Sequence, residues 1–392
     1  MNYLLKLSIY NRIIHKLYYI TNRYRLFFTI LLFIGFIISA PFTYFVPSLR
    51  YIAAIIIFLY LIVTIFTNYW TDKQLFIFQI FLILYLFIQL FLNQIRDYNA
   101  DFSILFSILF ATLFLKNIEQ IIRILKIIII INFVIMIYEV ITFEYIINIV
   151  EVNKYQFGRM QGLFSYSKEA GYFLLITFIF IRYFNVILFY QLIIFLSSFM
   201  SGSRTAMLFI GFILIIDNIY LIHKKITLYK FIKRYISLFF ILYVGLVLFT
   251  YYFNEDNIYI LNRILNSFNM ESSSQSERIV FWKSYFFAFN DYNIIELLFG
   301  KGTYLNHQID NGAESAYLML FSQLGLIGLL IYSIPLLLTV SLITKNIFLY
   351  YPFILLLGFL QVGRIGVGWA DGILMWILIL YILLKKKEIY EK

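Results

Sequence analysis

The chain has 392 residues, 63% hydrophobic and only 13% charged, with a formal net charge of +11 and a mean hydropathy of +0.88. A soluble domain is about a quarter charged, so the composition excludes a soluble enzyme and points to an all-α, polytopic integral membrane protein. There is no cysteine and there are three histidines (His15, His223, His307), which excludes disulfides, thiolate chemistry and a His-rich metal site.

The chain opens on a basic stretch with Lys6, Arg12, Lys16, Arg23 and Arg25 that leads straight into apolar sequence, the pattern of an uncleaved start rather than a signal peptide. A helix needs roughly 20 apolar residues to cross the hydrocarbon core, and on that measure about twelve spans follow. In order they are 26–46, 51–69, 75–92, 102–115, 124–143, 171–181, 184–200, 205–222, 235–253, 315–342, 347–362 and 370–384. The fourth and sixth are short, and only Arg182 separates the sixth from the seventh. The tenth contains Gly325, Gly328 and Pro335, which predicts a broken or tilted helix. No internal repeat appears, and 1–392 reads as a single membrane domain.

Lysine and arginine excess marks cytoplasmic loops. The basic clusters at the N-terminus, at Lys224–Arg234 and at Lys385-Lys386-Lys387 fall on one side of this map, which gives N-terminus and C-terminus in the cytoplasm. The net positive charge then reflects topology and anionic lipid, and no nucleic-acid partner is implied. Two longer segments fall on the outer side: Glu144–Gly171 and a large outer loop, 254–314, in which Ser272-Ser273-Ser274 reads as a flexible stretch. Long loops in compact proteins are usually functional.

The polar residues of the outer side form five groups. Phe157-Gly158-Arg159-Met160-Gln161-Gly162-Leu163-Phe164 precedes Lys168 and Glu169 at the mouth of a span; snorkelling cations at an interface are the plain alternative. Ser201-Gly202-Ser203-Arg204-Thr205-Ala206 sets an arginine in a turn of small residues. If Arg204 opens the next helix, its amides add to the attraction for an anion, while pairing of Arg204 with a carboxylate is the structural alternative. Ser276-Glu277-Arg278-Ile279-Val280-Phe281-Trp282 puts Arg278 and Trp282 on one face of a helix, which also suits an interfacial amphipathic helix. Phe299-Gly300-Lys301-Gly302 is followed by Glu314-Ser315-Ala316-Tyr317; the glycine pair is too short for a nucleotide loop, and Glu314 at the mouth of a span is costly unless paired or functional. Arg364 and Asp371 flank Gly366, Gly368 and Trp369 and can pair across a turn. Arginine binds phosphate oxygens in a bidentate fork and stays charged at any relevant pH. Arg159, Arg204, Arg278 and Arg364 facing one cavity at lipid level suit a membrane-anchored pyrophosphate, with Glu314 or Asp371 as a base.

The order of these motifs resembles the O-antigen polymerase and O-antigen ligase superfamily of bacterial polysaccharide enzymes over about residues 155–335, and Ser201–Ala206 is its most specific element. The resemblance implies a metal-independent, inverting glycosyltransferase without a cofactor, working on the outer leaflet of the cytoplasmic membrane. Its donor is a glycan on undecaprenyl diphosphate, and the resemblance implies a chain-length regulator as a protein partner. By the same resemblance Arg159, Arg204 and Arg278 bind diphosphate or glycan, and Glu314 is the candidate base. Ligases of this superfamily typically carry a histidine where Glu314 stands, eleven residues before Gly325; His307 is out of register. That departure favours a repeat-unit polymerase, for O-antigen or capsule, over a ligase. A lipid-linked oligosaccharide flippase is the alternative from another class. It predicts charges inside the spans, for which Glu139 and Asp217 are the clear candidates.

Overall fold

The computed structural model describes residues 61–62, 64–65, 72–95, 102–142, 160–164, 167–184, 186, 188–203, 206–207, 209–211, 213, 273–305, 315–341 and 369–390. Within them the chain forms α1 (Lys73–Ile95), α2 (Ser103–Phe114), a 3₁₀ turn (Leu115–Asn117), α3 (Ile118–Thr142), α4 (Ser167–Tyr183), α5 (Leu188–Met200), α6 (Ser273–Phe289), α7 (Ile294–Phe299), α8 (Ala316–Ser341) and α9 (Trp369–Tyr390). These helices coincide with seven of the expected spans, the tenth in altered form. The split at Arg182 is a real turn, closed by Val186 N–H donating to Ile181 O at 2.9 Å. The spans expected at 26–46, 235–253 and 347–362 lie outside the described residues.

The bundle is patterned inside out. On α1 the buried face runs Leu75, Gln79, Leu82, Tyr85, Leu86 and Gln89, spaced three or four apart, while Ile77, Phe81, Leu84, Phe87, Ile88 and Phe91 are exposed. A water-soluble helix turns its glutamines outward. In lipid an unpaired amide costs several kcal/mol, so these glutamines turn inward and find partners. Gln79 Nε2 donates to Thr112 Oγ1 of α2 at 2.7 Å. Gln89 Nε2 donates to the Tyr85 hydroxyl at 2.8 Å and to Phe299 O at 2.9 Å. Such bonds average about 0.6 kcal/mol each in membrane bundles, so they fix register more than they add stability.

α9 lies at the centre. Every residue from Asp371 to Leu380 is buried, and the helix packs against α2, α4 and α8. α3 and α4 both pack on α5, and α6 and α7 pack on α8.

Among the described residues, three helices are long and apolar enough to cross a membrane: Lys73–Ile95, Ile118–Thr142 and Ala316–Thr339. The third does not do so as one rod. In a straight helix Tyr317 and Tyr332 stand roughly 22 Å apart along the axis, yet their rings meet edge-on at 6.0 Å. Gly325 takes φ 69° and ψ −169°, so α8 is two arms, 316–324 and 326–341, folded back through a sharp angle. The single tenth span is corrected accordingly: the expected break is present, it lies at Gly325, and the helix continues through Pro335. The reason is close approach as much as backbone freedom. A side chain at Gly325 would overlap the Leu298 carbonyl, and one at Gly300 (φ 80°) would overlap the carbonyl of Gln323. The two glycines let the chain after α7 lie directly on the bend. There Lys301 N–H donates to Ser322 O at 2.8 Å and Gly302 N–H to Gln323 O at 3.3 Å. The Tyr85 hydroxyl donates to Leu324 O. The carbonyls freed by the break are therefore satisfied within the protein, as backbone at membrane depth requires.

The described part of the expected large loop, 254–314, is mostly helical: it carries α6 and α7 with turns after each. Ser273, expected in a flexible stretch, opens α6.

Candidate functional site

One end of the bundle gathers segments that are far apart in sequence. The first is 160–164. Glu139 on α3 is 1% exposed, and its Oε2 accepts from Gln161 N–H at 2.8 Å and Gly162 N–H at 2.9 Å. Asn132, a little under two turns earlier, accepts from Leu163 N–H at 2.9 Å. A carboxylate and an amide on one face of α3 thus hold three consecutive backbone donors. Met160 N–H in turn donates to Met200 O at 3.0 Å, which ties this segment to the end of α5.

The second segment is the turn after α5. Ser197, Ser198 and Ser201 bend back to carbonyls three or four residues earlier, the usual local use of serine near a helix end. Gly202, with φ 60°, completes the turn, and its N–H donates to Phe199 O at 2.9 Å. Ser203 starts a new helix as its cap: its carbonyl accepts from Met207 N–H at 3.0 Å and its hydroxyl from Ala206 N–H at 3.5 Å. Gly171 of α4 lies so close to Ser203 that no side chain fits between them.

The third and fourth contributions are acidic. Glu169 is in the first turn of α4, two residues before Gly171, and Asp371 is in the first turn of α9. Both occupy positions where a helix N-terminus favours negative charge. Glu169 is exposed as a residue, yet the protein packed on one side of its carboxyl partly desolvates it. That burial, followed by the charge of Asp371, raises its pKa to about 7. Asp371 is 7% exposed. One turn and more further along α9, Trp376 stacks edge-on with Tyr332 at 5.5 Å, and Tyr332 meets Tyr317 of the first arm of α8. Two acidic groups that feel each other's charge are therefore set near a serine-lined turn, with the aromatic stack deeper along α9.

Arg159, Arg204, Glu314 and Arg364 lie outside the described residues. Arg278 is on α6, where the backbone alone is described. The chain neighbours Met160 and Ser203 are nevertheless placed at this end, and Ser315 lies at the start of α8. Glu169 as a partner of Asp371, and the Tyr317–Tyr332–Trp376 stack, were not singled out from sequence. The available signal was an acid in the first turn of two apolar helices.

Residues 189–333 match the sequence model of a family described as O-antigen ligase. The match supports the O-antigen ligase and polymerase superfamily that the motif order resembles. It contains the 201–203 turn, α6, α7 and most of α8. No curated protein and no solved structure matches the chain.

Proposed function

We propose, from the O-antigen ligase match over residues 189–333, that this membrane protein is a glycosyltransferase of surface-polysaccharide assembly. Its finer reading is a repeat-unit polymerase of the bacterial cytoplasmic membrane. The donor is an oligosaccharide on undecaprenyl diphosphate and the acceptor is the terminal sugar of another lipid-linked unit. The acceptor hydroxyl attacks the anomeric carbon, the bond from that carbon to the diphosphate oxygen breaks with inversion, and the hydroxyl proton passes to a carboxylate. Arg159, Arg204, Arg278 and Arg364 bind the diphosphate and stabilise the charge that grows on it as it leaves. Glu314 is the base, with Asp371 the alternative. Both termini face the cytoplasm and the site faces outward.

The observation that carries this reading is the position of the Ser201-Gly202-Ser203 turn. It lies inside the matched segment and packs on Gly171, two residues from Glu169, whose carboxyl feels Asp371.

The second reading is the ligase, which the description of the matched family favours. Deletion in the native host with gel analysis of surface glycan separates the two. Loss of the long ladder with survival of a single-repeat band gives the polymerase. Loss of all capped acceptor, with long polymer accumulating on the carrier lipid, gives the ligase. Repeat units stranded on the inner leaflet give a flippase and overturn both. Arg204→Ala is expected to abolish polymer while the protein remains in the membrane; normal polymer levels in that variant would remove Arg204 from the mechanism.

A further inference from the structure

We propose that α6 and α7 are seated in the membrane, with bilayer lipid covering their exposed apolar edge, and do not stand in water as part of an outer loop. The first ground is attachment. The chain after α7 is bonded to the bend of α8 through Lys301 and Gly302. Phe299 O accepts from Gln89 of α1, and the Phe299 ring stacks on Tyr85 at 6.4 Å. α7 therefore sits on two membrane helices at once.

The second ground is what faces outward. Ile294 is 76% exposed, Ile295 61%, Phe286 61% and Phe287 72%. The only charged side chain within α7 is used internally. Glu296 and Asn293 form a reciprocal cap, and Glu296 Oε1 lies 3.3 Å from Lys301 Nζ. That ammonium also lies 4.4 Å from the centre of the Tyr304 ring. A charge paired within the protein, beside isoleucine and phenylalanine turned outward, is the pattern of lipid contact, the reverse of a solvated loop.

The third ground is continuity. The second arm of α8 exposes Leu326, Leu330, Ile334 and Leu337 in one stripe that begins at the bend. α1 exposes Leu84, Phe87 and Ile88 around the residues that hold Phe299. Both stripes belong to helices whose outward faces meet acyl chains, and α7 extends them. From Gly325 to Ser341 this arm rises roughly 24 Å, against a hydrocarbon core of about 30 Å. The bend and α7 then lie near a core boundary. Exposed Lys283, Asn290 and Asp291 form a polar rim suited to headgroups.

The absence of cysteine makes the test direct. Phe287→Cys and Ile294→Cys are prepared singly in the full chain, labelled with an environment-sensitive fluorophore and reconstituted in phosphatidylcholine liposomes. Asp291→Cys serves as the rim control. At both apolar positions blue-shifted emission is expected, quenched more by doxyl-labelled lipid than by aqueous iodide, with the reverse order at Asp291. Stronger quenching by iodide at positions 287 and 294 overturns the proposal in favour of an aqueous loop. Protection from both quenchers overturns it in favour of a protein partner or a second copy. Two surface positions guard against local misfolding of either one. The readout requires no glycan transfer, so it stands or falls separately from the polymerase reading.

Discussion

Glu139 shows what a buried acid does when its partners are backbone amides. From sequence alone an acid within a span is a transport candidate. In the structure its Oε2 holds two N–H groups of the segment that follows Arg159 in the chain. Its partners are 22 and 23 residues away, beyond any local spacing rule, which is why the sequence marks the residue but not its task. Glu139→Gln retains a carbonyl acceptor and is expected to keep both polymer formation and stability. Glu139→Ala strands two amides at about 1–3 kcal/mol each, and should lower the melting temperature in detergent together with polymer yield. A normal melting temperature in the alanine variant would refute the anchoring role. Glu169 gives a pH signature. Unfolded, its carboxyl ionises near 4.5; folded, near 7. Between those values the folded chain keeps a proton that the unfolded chain has released. Its contribution to stability is thus fully present below pH 4.5, falls as pH rises, and is gone above about 7. Glu169→Gln should flatten the pH dependence of the melting temperature across that window, and an unaltered slope would argue against the desolvated carboxyl.

Glycine decides the geometry of α8. An L-residue at Gly325 costs about 1–3 kcal/mol for a backbone conformation that essentially only glycine adopts, and its Cβ also meets the Leu298 carbonyl. Gly325→Ala is expected to detach the Lys301–Gly302 segment from the bend and destabilise the protein by more than the backbone cost. Thermal unfolding in detergent reads the loss, and a shift no larger than that of Gly211→Ala, where a side chain meets open space, would contradict it. At this scale the sequence was legible in part. The apolar runs mark α1, α2, α3, α5 and α9 because lipid demands such runs. Gly325, Gly328 and Pro335 mark a break but do not say which residue makes it, since that depends on Leu298 approaching from another helix. α6 and α7 escape the span criterion because their apolar residues are interleaved with Lys283, Asn290, Asp291 and Glu296.

Over the whole molecule, the all-helical membrane class follows from composition, while the arrangement does not. α9 is less apolar than α2 and α8, yet α2, α4 and α8 all pack on it. Nothing along its own sequence separates a central helix from a peripheral one; the distinction lies in which faces the others leave open. The candidate site follows the same pattern. Motif order marks Arg159, Arg204 and Glu314, all outside the described residues; of the segments beside them, 160–164 meets the end of α5 through Met160 and Met200. The carboxylate pair between α4 and α9 came from packing alone. The central place of α9 also has a temporal meaning. More than 250 residues separate α2 from α9, so during synthesis α2, α4 and α8 enter the bilayer with their inner faces, buried Ser107, Thr177 and Ser322 included, before α9 is there to pack on them. Until α9 arrives, those polar faces are available to insertion factors, to proteases, or to mispairing with one another. A nonsense change upstream of Trp369 therefore removes Asp371 and also leaves the earlier helices as an unfinished assembly open to degradation.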